Sequence, residues 1–572
     1  MHSNYKRLML TLVGLATVLM GTFGVSFVFA KGQAPGAQGG SLSAQPAKAP
    51  LVSMHTVDMG RVPVATGNPL QQPPMMMPLL TGTSPAVYAQ RKAAALYNKN
   101  APVDAHPFPG SDGTLPTTPA MTSKFKGVAD SASICPYFGG CQPPDQVLAA
   151  SPSWEFQGVN TSFAVYSTSG TLQPGWPKSA QNFFGIPNPG SCDPRGAFVV
   201  DPRGFYDPAD GRFWAIILQD QGALRIDSCP ELALVWIGVS QTSNPNGTWN
   251  IYAFDMRHGT TNATDFTQAG FDGQAIYFSG NMFNQTGYNY QYAEVFAASK
   301  AQMESGSTNV TAQGFTQLTV NGTLVDSVQP VETQAIGGAA PGAELLLSSY
   351  NINSGGGNCS SGCSGVVAWA FANPLTTPAL SQVVVPTRTY TLPPQADQPG
   401  CTACLETFDT RISATPVYNN GKISFALETG VHNNTRIVPG IFWGQIQPAL
   451  SGGAITGATL FQSGILSYTG DTAASFGALM PDKNDNLFMV FDRMSSKLDP
   501  SIQYTARLST DPLGKFETPL YLIKGTAATK DVNWGDYEAT SYDGSTTNNV
   551  WFSSEYSTSG ADWSTSIGET HF

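Results

Sequence analysis

The chain has 572 residues, of which only 12 % are charged, and 28 Lys and Arg stand against 39 Asp and Glu for a formal net charge of −11. Aromatic residues make up 11 %, which excludes a wholly disordered chain, and the few basic residues exclude a nucleic-acid-binding surface. With 59 Gly and 42 Pro, the composition indicates a turn-rich globular protein and not a long-helix protein.

Residues 1–30 have the features of a secretory signal peptide. Two basic residues precede an apolar run over residues 8–29, and Ala30 ends the run at a small-residue cleavage site. The run is also long enough, at roughly 20 residues, to serve as an uncleaved membrane anchor. We favour cleavage because the run contains Gly and Thr and ends at a usable site. The predicted location is extracellular or cell-surface, with no membrane span in the mature chain.

The eight cysteines predict disulfide bonds, as an even number does in an exported chain. They form four sequential couples: Cys135/Cys141, Cys192/Cys229, Cys359/Cys363 and Cys401/Cys404. The last couple also has the spacing of a redox or zinc pair. A redox motif needs a βαβ context and zinc needs two more ligands in suitable spacing, and neither is found nearby. A structural disulfide is therefore the preferred interpretation.

Residues 31–125 are rich in Pro, Gly, Ala and Gln and show no sustained period of 2 or 3.6. We predict a low-complexity, mostly disordered leader that acts as a spacer or a surface-wrapping arm. The segment 84–98 is an exception, because Ser84 can cap a helix, Pro85 suits its first turn, and helix-favouring residues follow.

From about residue 140 the chain consists of short β-rich runs separated by Gly, Asn, Asp and Pro, which predicts an all-β domain over 126–572. The clearest runs are Phe198–Val200, Phe213–Leu218, Leu232–Val239 and Thr248–Phe254. The only short helix candidate in this domain is around Ala297–Met303.

A repeat organises this domain: a short strand, a turn of Asp, Asn and Gly, and then a strongly apolar strand. Units start near residues 147, 197, 268, 331, 414, 477 and 539. Their spacing accommodates a four-stranded blade with its loops, so we predict a seven-bladed β-propeller. The last unit has room for only three strands. A segment between about 110 and 145 is therefore expected to supply the fourth and close the ring.

Two turns resemble the Asp box of sialidase-like propellers. Residues 243–249 read Ser-Asn-Pro-Asn-Gly-Thr-Trp, and residues 509–516 form a second approximate copy with Phe in place of Trp. In such a turn Asn or Asp bonds its own backbone, Gly takes a positive φ and the aromatic residue is buried. The resemblance implies a propeller scaffold and not a catalytic site.

Both ends of the domain resemble a family of secreted bacterial propeller proteins of unknown activity. The resemblance lies in Gln142-Pro143-Pro144-Asp145 and residues 159–166 at the start. At the end it lies in residues 500–504, Trp534-Gly535-Asp536-Tyr537, Glu555-Tyr556 and residues 563–568. It covers about residues 140–572 and implies the fold and export while leaving the activity open.

A glycoside hydrolase needs two carboxyl groups facing one sugar. Propeller funnels gather the starts of inner strands, so Asp409, Asp536 and Glu555 are candidates to converge there. The alternative is that Asp536 caps a turn or pairs with an arginine such as Arg507. A true sialidase is not expected, because the Arg-Ile-Pro motif of that family is absent and Arg411-Ile412-Ser413 is its nearest counterpart.

No cofactor is predicted, since the six histidines are scattered, although calcium is possible at Asp207 and Asp210. A plain Asp-Gly hairpin is the alternative there. The candidate ligand-binding residues are aromatic. They are Tyr288, Tyr290, Tyr292 and Trp534, and the three tyrosines would share one face of a strand.

The main functional hypothesis is a binding protein that uses the loops on one propeller face to recognise an extracellular glycan or protein. The alternative is a glycan-directed extracellular hydrolase with carboxyl groups in the central funnel. Facing carboxyl groups in an aromatic-lined funnel would favour the enzyme, and a funnel closed by apolar side chains would favour binding. The low charge further suggests adaptation to acidic surroundings.

Overall fold

The computed structural model describes residues 44–66, 84–110, 118–135, 142–194, 196–222, 227–287, 289–333, 342–350, 359–530 and 533–572. The signal segment 1–30 lies outside these residues. The described part of the chain is almost entirely β-structure, so the all-β prediction is confirmed. Its first elements are β1 (Gln45–Ala49), β2 (Leu51–Asp58), α1 (Pro85–Ala95) and β3 (Ser123–Ala129).

Seven units of antiparallel strands follow in chain order within the described residues, and we number them 1 to 7. Unit 1 contains β4 (Val147–Ala150), β5 (Trp154–Val159), β6 (Ser162–Ser167) and β7 (Lys178–Ser179), followed by α2 (Ala180–Phe183) and a 3-10 turn (Gly190–Cys192). Unit 2 contains β8 (Phe198–Asp207), β9 (Arg212–Gln221), β10 (Leu232–Ser240) and β11 (Thr248–Asp255). Unit 3 contains β12 (Ala263–Phe271), β13 (Ala275–Phe283), β14 (Tyr290–Ser299) and, after α3 (Lys300–Glu304), β15 (Ala312–Thr316).

The short pair β16 (Thr319–Val320) and β17 (Thr323–Leu324) leads into unit 4. Unit 4 contains β18 (Gln329–Pro330), with β19 (Glu332–Thr333) directly after it, then β20 (Glu344–Ser349), β21 (Cys363–Ala372) and β22 (Ala379–Tyr390). The pair β23 (Ala396–Gln398) and β24 (Cys401–Leu405) precedes unit 5, which contains β25 (Val417–Asn419), β26 (Lys422–His432), β27 (Ile437–Ser451) and β28 (Ala454–Leu466). Unit 6 contains β29 (Ala473–Pro481), β30 (Leu487–Ser495), β31 (Leu498–Arg507) and β32 (Leu520–Ile523). Unit 7 contains β33 (Ala539–Tyr542), β34 (Val550–Thr558) and β35 (Ala561–Thr570).

The first strands of the units contact one another in chain order. β4 packs beside β8, β8 beside β12 and β12 beside β18, while β25 packs beside β29, β29 beside β33 and β33 beside β4. β19 bridges units 3 and 5 through parallel pairing with β12 and β25. The predicted repeat starts lie at or within a few residues of these first strands, so the repeat was located correctly. This arrangement of successive four-stranded sheets is the one that β-propellers have.

The last unit receives its fourth strand from the N-terminal part of the chain, as the sequence predicts. β3 pairs antiparallel with β35, with Ser123 opposite Glu569 and Phe125 opposite Ile567. The Phe125 ring packs 5.4 Å from Tyr166 of unit 1 and 6.4 Å from Trp551 of unit 7. β3 therefore joins the last unit to the first.

We expect Phe125→Ala to lower the free energy of unfolding by about 2–4 kcal/mol, because it removes a ring packed between two units. Urea unfolding followed by tryptophan fluorescence measures this change. Lys126→Ala is the matched control, since Lys126 lies on the same strand but is exposed. Equal unfolding midpoints for the two variants would show that β3 does not hold units 1 and 7 together.

The described part of the predicted leader contains two strands and a helix, and residues 31–43, 67–83 and 111–117 of it lie outside the described residues. β2 pairs with β11 as a fifth strand of unit 2, and β1 pairs with β15 as a fifth strand of unit 3. The predicted helix is present as α1, with Ser84 accepting a hydrogen bond from the Val87 amide. The predicted domain boundary at residue 126 falls inside β3. The other predicted helix, around Ala297–Met303, is limited to α3 after the end of β14.

Three predicted disulfides are present: Cys192–Cys229, Cys359–Cys363 and Cys401–Cys404. Cys135 is also disulfide-bonded, and its predicted partner Cys141 lies outside the described residues. Among the described helices, none has the length and apolar character that crossing a membrane requires.

The turn at residues 243–249 has most of the predicted Asp-box features. The Asn244 side chain accepts a hydrogen bond from the Asn246 amide, and the buried Trp249 indole donates to the Pro245 carbonyl. Gly514 in the second copy has the expected positive φ of 78°, whereas Gly247 does not adopt this conformation. The hydrogen bonds within the first turn stabilise the connection between β10 and β11.

Candidate functional site

A left-handed backbone residue recurs in every unit, either early in the first strand or in the segment that leads into it. These residues have φ between 50° and 98°, and none is glycine: Asp145, Asp201, Phe266, Ser327, Phe408, Phe476 and Asp536. Non-glycine residues rarely adopt this conformation, which costs on the order of 1 kcal/mol or more unless the surroundings hold it. The sevenfold recurrence brings a distinct set of side chains together where the first strands begin.

Most of these side chains, or their immediate neighbours, are carboxyl groups. Six of the seven units place an aspartate there: Asp145, Asp201, Asp265, Asp326, Asp409 and Asp536. Asp145 and Asp536 are only 2 % and 4 % exposed. Burial raises the pKa of both groups well above its ordinary value, and the nearby charge of Asp201 raises it further. These two carboxyl groups therefore hold their protons at pH values where an exposed aspartate is ionised.

Two buried arginines face this cluster. Arg411 binds Asp409 through two parallel hydrogen bonds, Nε to Oδ1 at 3.0 Å and Nη2 to Oδ2 at 2.8 Å. Arg203 lies over the Tyr537 ring, 3.3 Å from its centroid, and donates to the Thr267 and Ser413 carbonyls. Arg203 Nη2 and Arg411 Nη1 are buried and have no hydrogen-bond partner within the described part of the chain. Each can donate to an oxygen atom of a ligand.

Aromatic rings line the same centre. Phe266 packs 5.5 Å from Phe408 and 6.5 Å from Tyr537, and the Arg411 guanidinium lies 4.5 Å from the Phe266 centroid. A small cavity of about 30 Å³ lies beside the cluster, lined by residues of six units that include Gln146, Arg203, Glu332 and Glu538. The first strands therefore surround a polar axis with aromatic walls.

A second carboxyl cluster lies between units 6 and 7. Single oxygens of Asp492, Glu538 and Glu555 lie within 4.8 Å of one another, and all three residues are buried. Asp492 accepts hydrogen bonds from the Trp534 indole at 2.6 Å and the Ser554 hydroxyl at 2.7 Å, and burial raises its pKa to about 7. The three oxygens could hold a cation or share protons, and this cluster is the one group of potential metal ligands found among the described residues.

Helix α1 covers residues 406–408, next to Asp409. Lys92 is 1 % exposed, and its ammonium group lies 2.9 Å from Glu406 Oε1. It also donates to Thr407 Oγ1 at 2.9 Å and to the Phe408 carbonyl at 2.6 Å. The Tyr88 hydroxyl donates to the same Glu406 oxygen at 3.0 Å. Helix α1 thus contributes the Tyr88 and Lys92 side chains to the edge of the central cluster.

The three proposed catalytic carboxyl groups are placed in two neighbouring clusters. Asp409 and Asp536 belong to the central cluster, where Arg411 binds the first and attracts the second. Glu555 belongs to the second cluster, although its Oε1 accepts a hydrogen bond from the Gly535 amide, next to Asp536. Asp536 is not paired with Arg507, which instead donates to the Lys515 and Asp511 carbonyls.

The other predicted binding residues lie elsewhere. Tyr288 is outside the described residues, and a register irregularity separates Tyr290 from Tyr292 on β14. The Tyr290 hydroxyl donates to the Val325 carbonyl and its ring packs against Phe283. Trp534 is buried against Asp492, so its ring presents no open surface.

At the possible calcium site, the cation between Asp207 and Asp210 is the ammonium group of Lys300, which pairs with both. The Asp-Gly turn itself is present, since the Gly211 amide donates to the Asp207 carbonyl. An internal ion pair therefore satisfies the carboxylates that prompted the calcium prediction.

The sequence interpretation missed Asp145, Asp201, Arg203, Tyr537, Asp492 and Lys92. A usable signal was present, because in six of the seven repeats an aspartate precedes the first strand or is one of its first four residues. Aligning the repeats on that aspartate would have selected the central carboxyl groups. No comparable signal links Lys92 to Glu406, which are far apart in the chain.

No protein-family model and no curated protein matches this chain. Solved structures match it at low identity. A polysaccharide lyase of family PL25, an ulvan lyase, is 11 % identical with a TM-score of 0.40, and the match covers 78 % of this chain and 95 % of the lyase. The hemagglutinin-neuraminidase of parainfluenza virus 5 is 10 % identical with a TM-score of 0.35, covering 72 % of this chain and 94 % of that one.

The Trypanosoma rangeli sialidase is 12 % identical with a TM-score of 0.31, covering 64 % of this chain and 54 % of the sialidase. The match thus spans about half of that protein.

Proposed function

We propose that the chain is an exported seven-bladed β-propeller whose central cluster hydrolyses glycosidic bonds. The observation that carries this proposal is a buried carboxyl group with a raised pKa, Asp536, which lies among other carboxyl groups in an aromatic-lined centre. Such a combination supplies the acid and the negative charge that glycoside hydrolysis requires.

Each central group has a role in this proposal. Asp536 donates its proton to the leaving-group oxygen, and Asp201 is the candidate base that accepts a proton from the attacking water. Asp409 accepts two hydrogen bonds from Arg411 and is the candidate group to stabilise the positive charge that develops on the sugar ring. The free N–H groups of Arg203 and Arg411 orient sugar hydroxyl groups. This scheme requires no cofactor, and the Asp492 cluster remains available for a cation.

The test is the release of reducing ends from a panel of neutral, acidic and amino-bearing oligosaccharides at about pH 5. The panel is run with the wild-type protein and with Lys92→Ala, because helix α1 covers part of the cluster. Hydrolysis of one class by either protein supports the proposal. Absence of hydrolysis by both proteins across the panel, with correctly folded samples, contradicts it.

The second candidate is a binding protein, and the burial of every central carboxyl group beneath the surface favours it. Glycan binding without turnover by both proteins would select this alternative. Export is proposed on the predicted signal peptide and the disulfides, which form in oxidising compartments. N-terminal sequencing of the protein recovered from the medium would test cleavage after Ala30.

A further inference from the structure

A cavity of about 530 Å³ lies between units 1 and 2, and none of its lining residues belongs to either carboxyl cluster. Its floor is one face of the unit 2 sheet, to which β9, β10 and the added strand β2 contribute side chains. Its wall is the loop at residues 185–189, which follows α2 of unit 1. Ligand pockets in proteins have volumes of ~300–1,000 Å³. The cavity is therefore large enough to hold a ligand.

The cavity opens where unit 1 stops covering the unit 2 sheet. Phe183 and Phe184 at the end of α2 belong to the same hydrophobic core as Trp236 of β10, so the inner part of this face is packed. The outer strand of unit 1, β7, has only 2 residues, whereas β9 and β10 have 10 and 9 residues. The outer part of the face therefore extends beyond β7 and lines the cavity.

The floor of the cavity is apolar at its centre. Leu232, Leu234 and Trp236 occupy alternate positions of β10, so their side chains share one face of the strand. The Trp236 ring is fixed, because its indole donates to Gln219 Oε1 at 2.7 Å and the His55 ring packs edge-on with its centroid 6.1 Å away. The floor thus offers a preformed apolar surface to the C–H groups of a ligand.

Two glutamine side chains in this floor keep hydrogen-bonding groups available. Gln219 is 3 % exposed, and its Nε2 group has no hydrogen-bond partner within the described part of the chain, since only its Oε1 is used by Trp236. The half-buried Gln221 side chain makes no hydrogen bond to any described residue, although its main-chain carbonyl accepts from Gln285. A buried donor without a partner is unfavourable, so a ligand oxygen that accepts from Gln219 stabilises the site.

The cavity carries no fixed charge to attract an ionic ligand: no carboxylate, lysine or arginine of the described residues lines it. His55 Nε2 donates to the Phe184 carbonyl at 2.9 Å, and its Nδ1 lies 3.3 Å from the Ser53 hydroxyl, so both ring nitrogens have partners. A charged ligand would lose hydration here without gaining a counter-ion. The cavity therefore selects a neutral ligand that combines apolar and hydroxyl-like surfaces.

We propose that this cavity is a second glycan-binding site, separate from the central cluster, and that its ligand is a neutral oligosaccharide. The C–H groups of a pyranose ring pack on Leu232 and Trp236, and its hydroxyl groups donate to and accept from the carboxamides of Gln219 and Gln221. The inference rests on the proposed function only in taking a glycan as the neutral ligand, because the neutrality follows from the cavity itself. The site holds the glycan without cleaving it, since no carboxyl group of the described residues lines it.

Calorimetric titration at about pH 5 tests the proposal with neutral tetramers of glucose, galactose, mannose and xylose. A galacturonic acid tetramer, a glucosamine tetramer and an uncharged proline-containing tetrapeptide are the comparison probes. We expect wild type to bind at least one neutral tetramer and to bind the comparison probes at least about 10-fold more weakly. Gln221→Ala should weaken binding of that tetramer by about 10-fold, the effect of losing one or two hydrogen bonds.

Gln241→Ala is the matched control, because Gln241 is an exposed glutamine just after β10 that does not line the cavity, and it should behave as wild type. Val52→Trp provides a second variant, since Val52 is 52 % exposed on β2 and lines the cavity. The larger ring should obstruct the cavity and abolish binding. Both substituted cavity residues are partly exposed, and near-ultraviolet circular dichroism verifies that the variants fold.

Absence of binding by every neutral tetramer, or equal affinity of wild type, Gln221→Ala and Val52→Trp, would overturn the proposal. Binding of the tetrapeptide in preference to the sugars would also overturn it and would identify a peptide site. A protein that binds a neutral tetramer in this cavity but hydrolyses nothing would refute the proposed function and retain the second site. Hydrolysis without any effect of the cavity variants on binding would do the reverse.

Discussion

Asp536→Asn is expected to lower the rate of glycan hydrolysis by about 10²–10⁴-fold, the range typical of a lost general acid. Asparagine keeps the size of the side chain and tolerates the left-handed backbone that Asp536 adopts at φ 98°. It cannot donate a proton to a leaving group. The measurement is kcat on whichever oligosaccharide the panel identifies, with near-ultraviolet circular dichroism to verify the fold.

Asp499→Asn provides the matched control, because Asp499 lies on β31, outside both carboxyl clusters. It should retain the wild-type rate. An Asp536→Asn variant that keeps more than a tenth of that rate would remove Asp536 from the proposed role. The acid would then have to be sought at Asp145, which is also buried and proton-holding.

The second large effect is on stability, which we expect to fall as the pH rises from about 5 to about 8. Burial raises the pKa of Glu428 to about 8 and that of Asp492 to about 7. In the unfolded chain these groups titrate near 4. The folded state therefore binds more protons than the unfolded state between these values, and its stability decreases with rising pH.

Glu428 and Asp492 stabilise the folded state fully at pH values below the pKa that they have in the unfolded chain. This stabilisation is lost as the pH rises through the pKa that they have in the folded chain. Each of these groups contributes on the order of a few kcal/mol. Groups with lowered pKa values, such as Asp255 bound to Arg257, act in the opposite sense only below about pH 4. Maximal stability is thus expected at about pH 4–6.

Urea unfolding at pH 5, 6.5 and 8 measures this dependence. Glu428→Gln is the informative variant, since its amide oxygen can still accept from the Phe476 amide, as the carboxylate does at 2.6 Å. Between pH 5 and pH 8, the free energy of unfolding of this variant should fall by a few kcal/mol less than that of wild type. A wild-type protein that is more stable at pH 8 than at pH 5 would contradict the expected sign.

The repeat, the ring-closing strand and helix α1 could be predicted because each leaves a local pattern. Turn residues and apolar runs mark the strands, and Ser84-Pro85 marks the start of the helix. β1 left no such pattern, because it is an outer strand with a proline at position 46 and little to bury. Its pairing partner β15 lies more than 260 residues away, so neither composition nor periodicity could reveal it.

The candidate site was predicted only in part for a similar reason. Asp409 and Asp536 were selected because inner strands begin near them, and the structure places both in the central cluster. Glu555 was assigned to the same cluster, but its position on β34 places it between units 6 and 7. The roles of Arg203 and Lys92 depend on contacts between distant segments, which spacing along the chain does not encode.

The arm formed by β1 and β2 has a consequence for how this protein can be truncated. Each of these strands covers the hydrogen-bonding edge of a neighbouring sheet, and an uncovered edge readily pairs with another chain. A fragment that begins at residue 126 would expose both edges and would also lose half of β3. The N-terminal segment that looks dispensable by composition is therefore what keeps neighbouring molecules from joining strand to strand.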